Sequence, residues 1–266
     1  MPLIIISRGS ESHGEKVAGK LALKLGYPCL CRESLLKESV RGAGPLADLF
    51  RAAAEGRLAL DRMDNGREKY LAHVRKALLD SLGKDNAVYH GFAAHTFVQG
   101  VSHVVKVRIN PDREQRLAGD RGGLKGPGAE QPLKRLRRRQ ASQLNGYSYL
   151  HGIDLADPGQ YDLVISMRTM TVDEAVEVIA RTAQRACFQP TEKSGDKLQM
   201  LCLAARVQLL LAEESPFVKV EVEDGDITVS TEGYWKEAMK VMNRVEQIVG
   251  QDRYVGIKVI LKTPRN

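Results

Sequence analysis

Residues 7–16, Ser7-Arg8-Gly9-Ser10-Glu11-Ser12-His13-Gly14-Glu15-Lys16, concentrate hydroxyls, small residues and cations in one short stretch. Serine hydroxyls and glycine-freed amides can wrap an oxyanion, and a nearby lysine neutralises its charge. The same stretch carries two opposing groups, Glu11 and Glu15. A carboxylate a few ångströms from phosphate costs on the order of a few kcal/mol at a partly buried site. Ser7, Ser10, Ser12 and the first amides of a following helix still suit an anion.

The elements around this stretch are legible. Leu3-Ile4-Ile5-Ile6 before it is a short apolar, β-branched run, which predicts a buried strand. Val17, Leu21 and Leu25 after it fall at helical spacing, which predicts an amphipathic helix. A strand, a polar loop and a helix in that order place the loop at the ligand end of an open α/β sheet. Further predicted strands are Cys29–Cys31, Ala87–Gly91, Val104–Ile109 and Tyr161–Ser166. Predicted helices are 32–41, 46–57, 61–82, a basic one at 133–144, and 171–186 with a capping-box start at Thr171-Val172-Asp173-Glu174. The alternation implies a mostly parallel sheet flanked by helices.

Gln189 to Asp196 reads as a linker, and the pattern changes beyond it. A helix over 197–212 is followed by two period-two strands, Phe217–Val222 and Ile227–Val229, with Asp224-Gly225 as a hairpin signal. A helix over 233–249 and a strand over 254–261 complete an αββαβ unit. The domains expected are therefore 1–188, with a helical insert at about 32–82 and a basic lid at about 111–145, a linker at 189–196, and a small α+β domain at 197–266.

Charge is concentrated in one segment. Residues 105–140 carry eleven basic and four acidic residues, an excess equal to the whole net charge of +7. A polyanion partner is expected there: nucleotide phosphates, RNA or DNA. Aromatic residues are 5% of the chain, which argues against a stacking platform for single strands. The absence of GxGxxG argues against a dinucleotide-binding Rossmann fold. The six histidines show no metal-ligand spacing, so no metal site is expected. The four cysteines make no CxxC pair and read as reduced thiols of a cytoplasmic protein. No apolar run approaches the ~18 residues of a membrane span. The opening residues read as a core strand rather than a signal peptide.

Several pieces in this order resemble one family. They are Ile4-Ile5-Ile6-Ser7-Arg8, Gly14-Glu15-Lys16-Val17-Ala18, Val88-Tyr89-His90-Gly91, Val105-Lys106-Val107-Arg108-Ile109, and Gly152 to Pro158 leading into Tyr161-Asp162-Leu163-Val164. Together residues 3 to about 186 resemble the cytidylate kinase-like family of P-loop nucleoside monophosphate kinases. Residues 197–262 resemble a BON-type domain. The first resemblance implies a P-loop NTPase-like α/β core using ATP and Mg²⁺ on a nucleotide, by family habit a pyrimidine monophosphate. It implies that Arg8, Gly9, Ser10, Ser12, Gly14 and Lys16 hold the donor, that Lys16 and Arg137 act in catalysis, and that Arg32, His90, His95, Arg113, Arg116 and Arg121 meet the substrate. The second implies a protein or membrane-surface partner for the C-terminal domain.

The chain also departs from the family pattern. Glu15 stands where the phosphate-loop lysine belongs, and Lys16 where its Ser or Thr belongs. Gly91 is followed by Phe92 instead of a substrate-holding arginine, and no magnesium carboxylate stands out. Two alternatives to an active phosphotransferase follow: a kinase-fold protein that binds without catalysing, and a nucleic-acid module using the 105–140 segment.

Overall fold

The computed structural model describes residues 2–8, 13–31, 34–35, 45–55, 59, 61–83, 86–91, 93–110, 152–214, 218–223, 226–232, 235–249 and 256–262. They form two compact units, one of Met1–Ser34 with Asp85–Pro190, the other of Leu35–Lys84 with Thr191–Asn266.

The first unit is built on a five-stranded parallel sheet with spatial order β2-β3-β1-β4-β5. The strands are β1 (Leu3–Arg8), β2 (Cys29–Cys31), β3 (Val88–Gly91), β4 (Val104–Asn110) and β5 (Leu163–Ser166). The apolar run at the start becomes the central strand, with Ile6 in register with His90 on one side and Val107 on the other. Alternation then sorts side chains onto two faces. Ile4, Ile6, Val105, Val107 and Ile109 join a buried core with Val17 and Leu21 of α1 (Gly14–Leu25) and Ala175 and Ile179 of α4 (Val172–Ala183). On the opposite face, Ser7 is in register with Gly91 and Arg108.

Local chemistry explains the ends of these elements. Helix α1 stops at Gly26, whose φ of 69° is left-handed, and the Tyr27 N–H returns to the Ala22 carbonyl at 2.9 Å. Helix α4 starts on a full capping box between Thr171 and Glu174. Lys20 pairs with Asp173 at 2.7 Å and Lys24 with Glu177, linking α1 to α4, but all four side chains face solvent and contribute little. Asp162 fastens the edge strand: its carboxylate accepts the Lys106 N–H at 2.7 Å, and its own N–H donates to the Lys106 carbonyl at 2.8 Å.

The second unit joins α2 (Pro45–Glu55) and α3 (Gly66–Leu82) with the C-terminal elements. Those are α5 (Glu192–Glu214), β6 (Lys219–Glu223), β7 (Asp226–Glu232), α6 (Trp235–Val249) and β8 (Gly256–Lys262), the αββαβ order expected. Strand β6 is antiparallel to β7, and β7 is parallel to β8. Glu223 pairs with Asp226, so two residues make the hairpin connection. The core holds Val207 and Leu211 of α5, Val220, Ile227 and Val229 of the sheet, and Val241 and Val245 of α6.

Two helices start well away from where the sequence reading puts them, and one short element is new. Helix α5 begins at Glu192, so residues 192–196, read as linker, are its opening turns. Thr191 and Ser194 exchange hydrogen bonds there, Thr191 N–H to Ser194 Oγ at 2.9 Å and Ser194 N–H to Thr191 Oγ1 at 3.2 Å, a cap that a Ser/Thr-rich segment disguises as loop. Helix α3 begins at Gly66 rather than Asp61. A 3₁₀ turn over Ala94–Val98, not expected from the sequence, follows β3. The helices read at 32–41 and 133–144 lie mostly or wholly outside the described residues.

Candidate functional site

The C-terminal ends of β1, β3 and β4 lie side by side, and β1 is the strand from which the chain turns into α1. In parallel sheets this edge carries ligand chemistry, because the loops leaving the strands gather there. Helix α1 opens with the Val17 N–H on the His13 carbonyl at 2.9 Å. Gly14 is buried at its first position, and Glu15 and Lys16 are exposed in its first turn. The exposed carboxylate next to the exposed ammonium keeps the charge conflict seen in the sequence at the helix start, where the dipole favours anions.

Arg8 ends β1, in register with Ile109. His90 on β3 is buried, in register with Ile6 and Cys31. His95, in the 3₁₀ turn, is 0% exposed, and neither ring nitrogen has a hydrogen-bond partner. Its ring lies 4.6 Å from that of Tyr161, tilted by 49°. Burial first, then the charges of Lys106 and Arg108, push its pKa down to about 4, so the imidazole is neutral near pH 7. Gly9, Ser10, Ser12, Arg32, Arg113, Arg116, Arg121 and Arg137 lie outside the described residues.

The structure also brings in two residues that sequence reasoning did not single out. Tyr161 donates its hydroxyl to the Leu155 carbonyl at 3.0 Å and lies 3.4 Å from Ser7 Oγ. The Arg108 guanidinium carbon sits 5.7 Å from the centre of the Tyr161 ring, and its Nε donates to Asn110 Oδ1 at 2.9 Å. The period of two in Val104–Asn110 was the available signal: it sets Lys106 and Arg108 on one face of β4, away from the apolar core.

As to metals, no group of three or more His, Cys, Asp or Glu side chains is placed to hold an ion among the described residues. No described helix is long and apolar enough to cross a membrane.

Among solved structures, the chain is similar to an uncharacterized protein from Eubacterium ventriosum, with 18% identity, TM-score 0.48, and coverage of 68% of this chain and 97% of that one. It is also similar to shikimate kinase from Bacteroides thetaiotaomicron, with 12% identity, TM-score 0.43, and coverage of 69% and 99%. Shikimate kinase from Acinetobacter baumannii, solved in complex with shikimate, is a third, with 15% identity, TM-score 0.39, and coverage of 68% and 92%. No curated protein matches the chain. The model of the cytidylate kinase-like family matches residues 3–169, from the first residue of β1 to the turn before α4, and the chain belongs to that family.

Proposed function

We propose that the protein is an ATP-dependent phosphotransferase of the nucleotide kinase type, acting on a nucleoside monophosphate. The reading is carried by the β1–loop–α1 unit at the centre of the parallel sheet, inside the stretch that the family model matches. Arg8, Gly9, Ser10, Ser12, Gly14 and Lys16 would hold the donor phosphates. Arg137 would act with Lys16 on the transferring group. Arg32, Arg113, Arg116 and Arg121 would gather the acceptor, with His90 and His95 supporting the strand ends beside it. Bound Mg²⁺ would neutralise the phosphates, entering with them and its waters, as Mg²⁺ commonly does where few carboxylates are offered. The chain's own work is to position two anions and neutralise charge, without a covalent intermediate.

A second reading is a kinase-fold protein that binds nucleotide without transferring phosphate. The exposed Glu15 in the first turn of α1 favours it, because a carboxylate there repels the phosphate it should help to hold. The C-terminal αββαβ unit would be a BON-type module that docks on a protein or membrane surface.

A coupled assay over a panel of nucleoside monophosphates, with Lys16→Ala as control, separates the readings. Turnover that collapses in Lys16→Ala supports the enzyme. Mg²⁺-dependent thermal stabilisation by ATP without turnover supports the binding protein. Neither response in the wild type removes both.

A further inference from the structure

Arg108 is half-buried on β4, in register with Ser7 near the end of β1. Its position is fixed twice, by the Tyr161 ring beneath the guanidinium and by the Nε bond to Asn110. Tyr161 is itself fixed by its hydroxyl on the Leu155 carbonyl. Among the described residues no carboxylate pairs with Arg108, nor with Lys106 two residues earlier on the same face. A partly desolvated guanidinium without a counter-ion is costly, and proteins retain one where an anion arrives. With Nε engaged, four N–H donors of the fork remain, in the geometry that matches a phosphate oxygen pair. Neutral His95, tilted against the same ring, adds no competing charge.

We propose that Arg108 is a phosphate-binding residue, presented by Tyr161 and Asn110 beside Ser7, for the phosphate group of a nucleotide. The inference takes its location from the nucleotide reading, yet it concerns binding and stands or falls separately from turnover.

The test is isothermal titration of the full chain with sodium tripolyphosphate, ATP and CMP at physiological salt. Variants are Arg108→Gln, Arg108→Lys, Tyr161→Phe, Tyr161→Leu and, as a control for general charge, Arg206→Gln, an exposed residue of α5. Loss of a charge-assisted pair predicts on the order of a tenfold weakening of tripolyphosphate in Arg108→Gln. Partial retention is expected in Arg108→Lys, near-wild-type binding in Tyr161→Phe, and weakening in Tyr161→Leu, which loses the ring under the guanidinium. ATP weakened more than CMP assigns the donor phosphates to Arg108, and the reverse assigns the acceptor's. A folded Arg108→Gln that binds tripolyphosphate as the wild type does, an equal loss in Arg206→Gln, or a wild type that binds none of the three overturns the proposal. A protein that binds tripolyphosphate through Arg108 and transfers nothing keeps this inference and removes the phosphotransferase.

Discussion

Arg75 of α3 donates Nη1 to the carbonyl of Val220 on β6 at 3.1 Å. Strand β6 is the edge of its sheet. Two more side chains take its outward backbone groups. Gln208 donates to the Val218 carbonyl at 2.7 Å and accepts the Val220 N–H at 2.8 Å, and Lys197 donates to the Val222 carbonyl at 3.0 Å. An open edge strand is a template for pairing with another chain, and these side chains close it. Burial lowers the pKa of Arg75, with Glu221 opposing the shift.

Arg75→Met therefore leaves the Val220 carbonyl unsatisfied at a partly buried edge. The expected loss is about 1–3 kcal/mol of unfolding free energy in urea, with increased self-association on sizing columns. Gln208→Leu removes two edge bonds and is expected to lose at least as much. An Arg75→Met protein as stable and as monodisperse as the parent would show that the edge needs no cover.

His95 makes stability pH-dependent in a known direction. Its folded pKa, about 4, lies below the ordinary histidine value of 6.5, so the unfolded chain binds the proton more tightly. The contribution is complete above about pH 6.5 and is lost as pH falls from there toward 4, amounting to about 3 kcal/mol across that window. His95→Phe keeps a ring against Tyr161 and removes two unpartnered nitrogens. It is expected to flatten the acid slope and to equal or exceed the parent's stability near pH 7. Denaturant titrations at pH 4.5, 5.5 and 7 measure both effects.

Gly91 ends β3 because nothing larger fits. A Cβ there would stand 2.6 Å from the Tyr89 hydroxyl and 3.0 Å from its ring carbon Cζ. Tyr89 is itself buried, so its stiff ring cannot swing into solvent. Gly91→Ala is expected to cost about 1–3 kcal/mol. Tyr89→Phe removes the nearest oxygen, so the double variant should lose less than the sum of the two singles in a double-mutant cycle.

The cysteines should react unequally. Cys202 donates its thiol to the Leu79 carbonyl at 3.3 Å, and burial, with help from Asp80, pushes its pKa up to about 11. Cys187 is exposed. Alkylation by iodoacetamide at pH 8, read by peptide mass spectrometry, should modify Cys187 well before Cys202, because the thiolate is the reactive form. Cys202 should become reactive only with unfolding of the second unit.

Local periodicity carried most of the architecture into view. The β-branched run Leu3–Ile6, the helical spacing of Val17, Leu21 and Leu25, and the alternation in Val104–Ile109 each specify an element that the structure contains. What escaped was set by partners distant in sequence. No local pattern tells that α3 finds α5 and β6 more than a hundred residues later, through Leu79 with Cys202 and through Arg75 with Val220. The start of α5 hid in residues that suit a turn as well as a cap. At the candidate site the sequence pointed to the loop before α1, while the Arg108–Tyr161 contact joins residues whose separation gives no signal.

The discontinuous second unit has a consequence for synthesis. As the chain leaves the ribosome, residues 35–84 emerge early, but the helix and sheet they fold with follow residue 190. All five strands of the parallel sheet are then out before α3 has its mate. A nascent chain stalled after Pro190 thus holds a helix with its buried side bare, the state in which chaperones should be found most often.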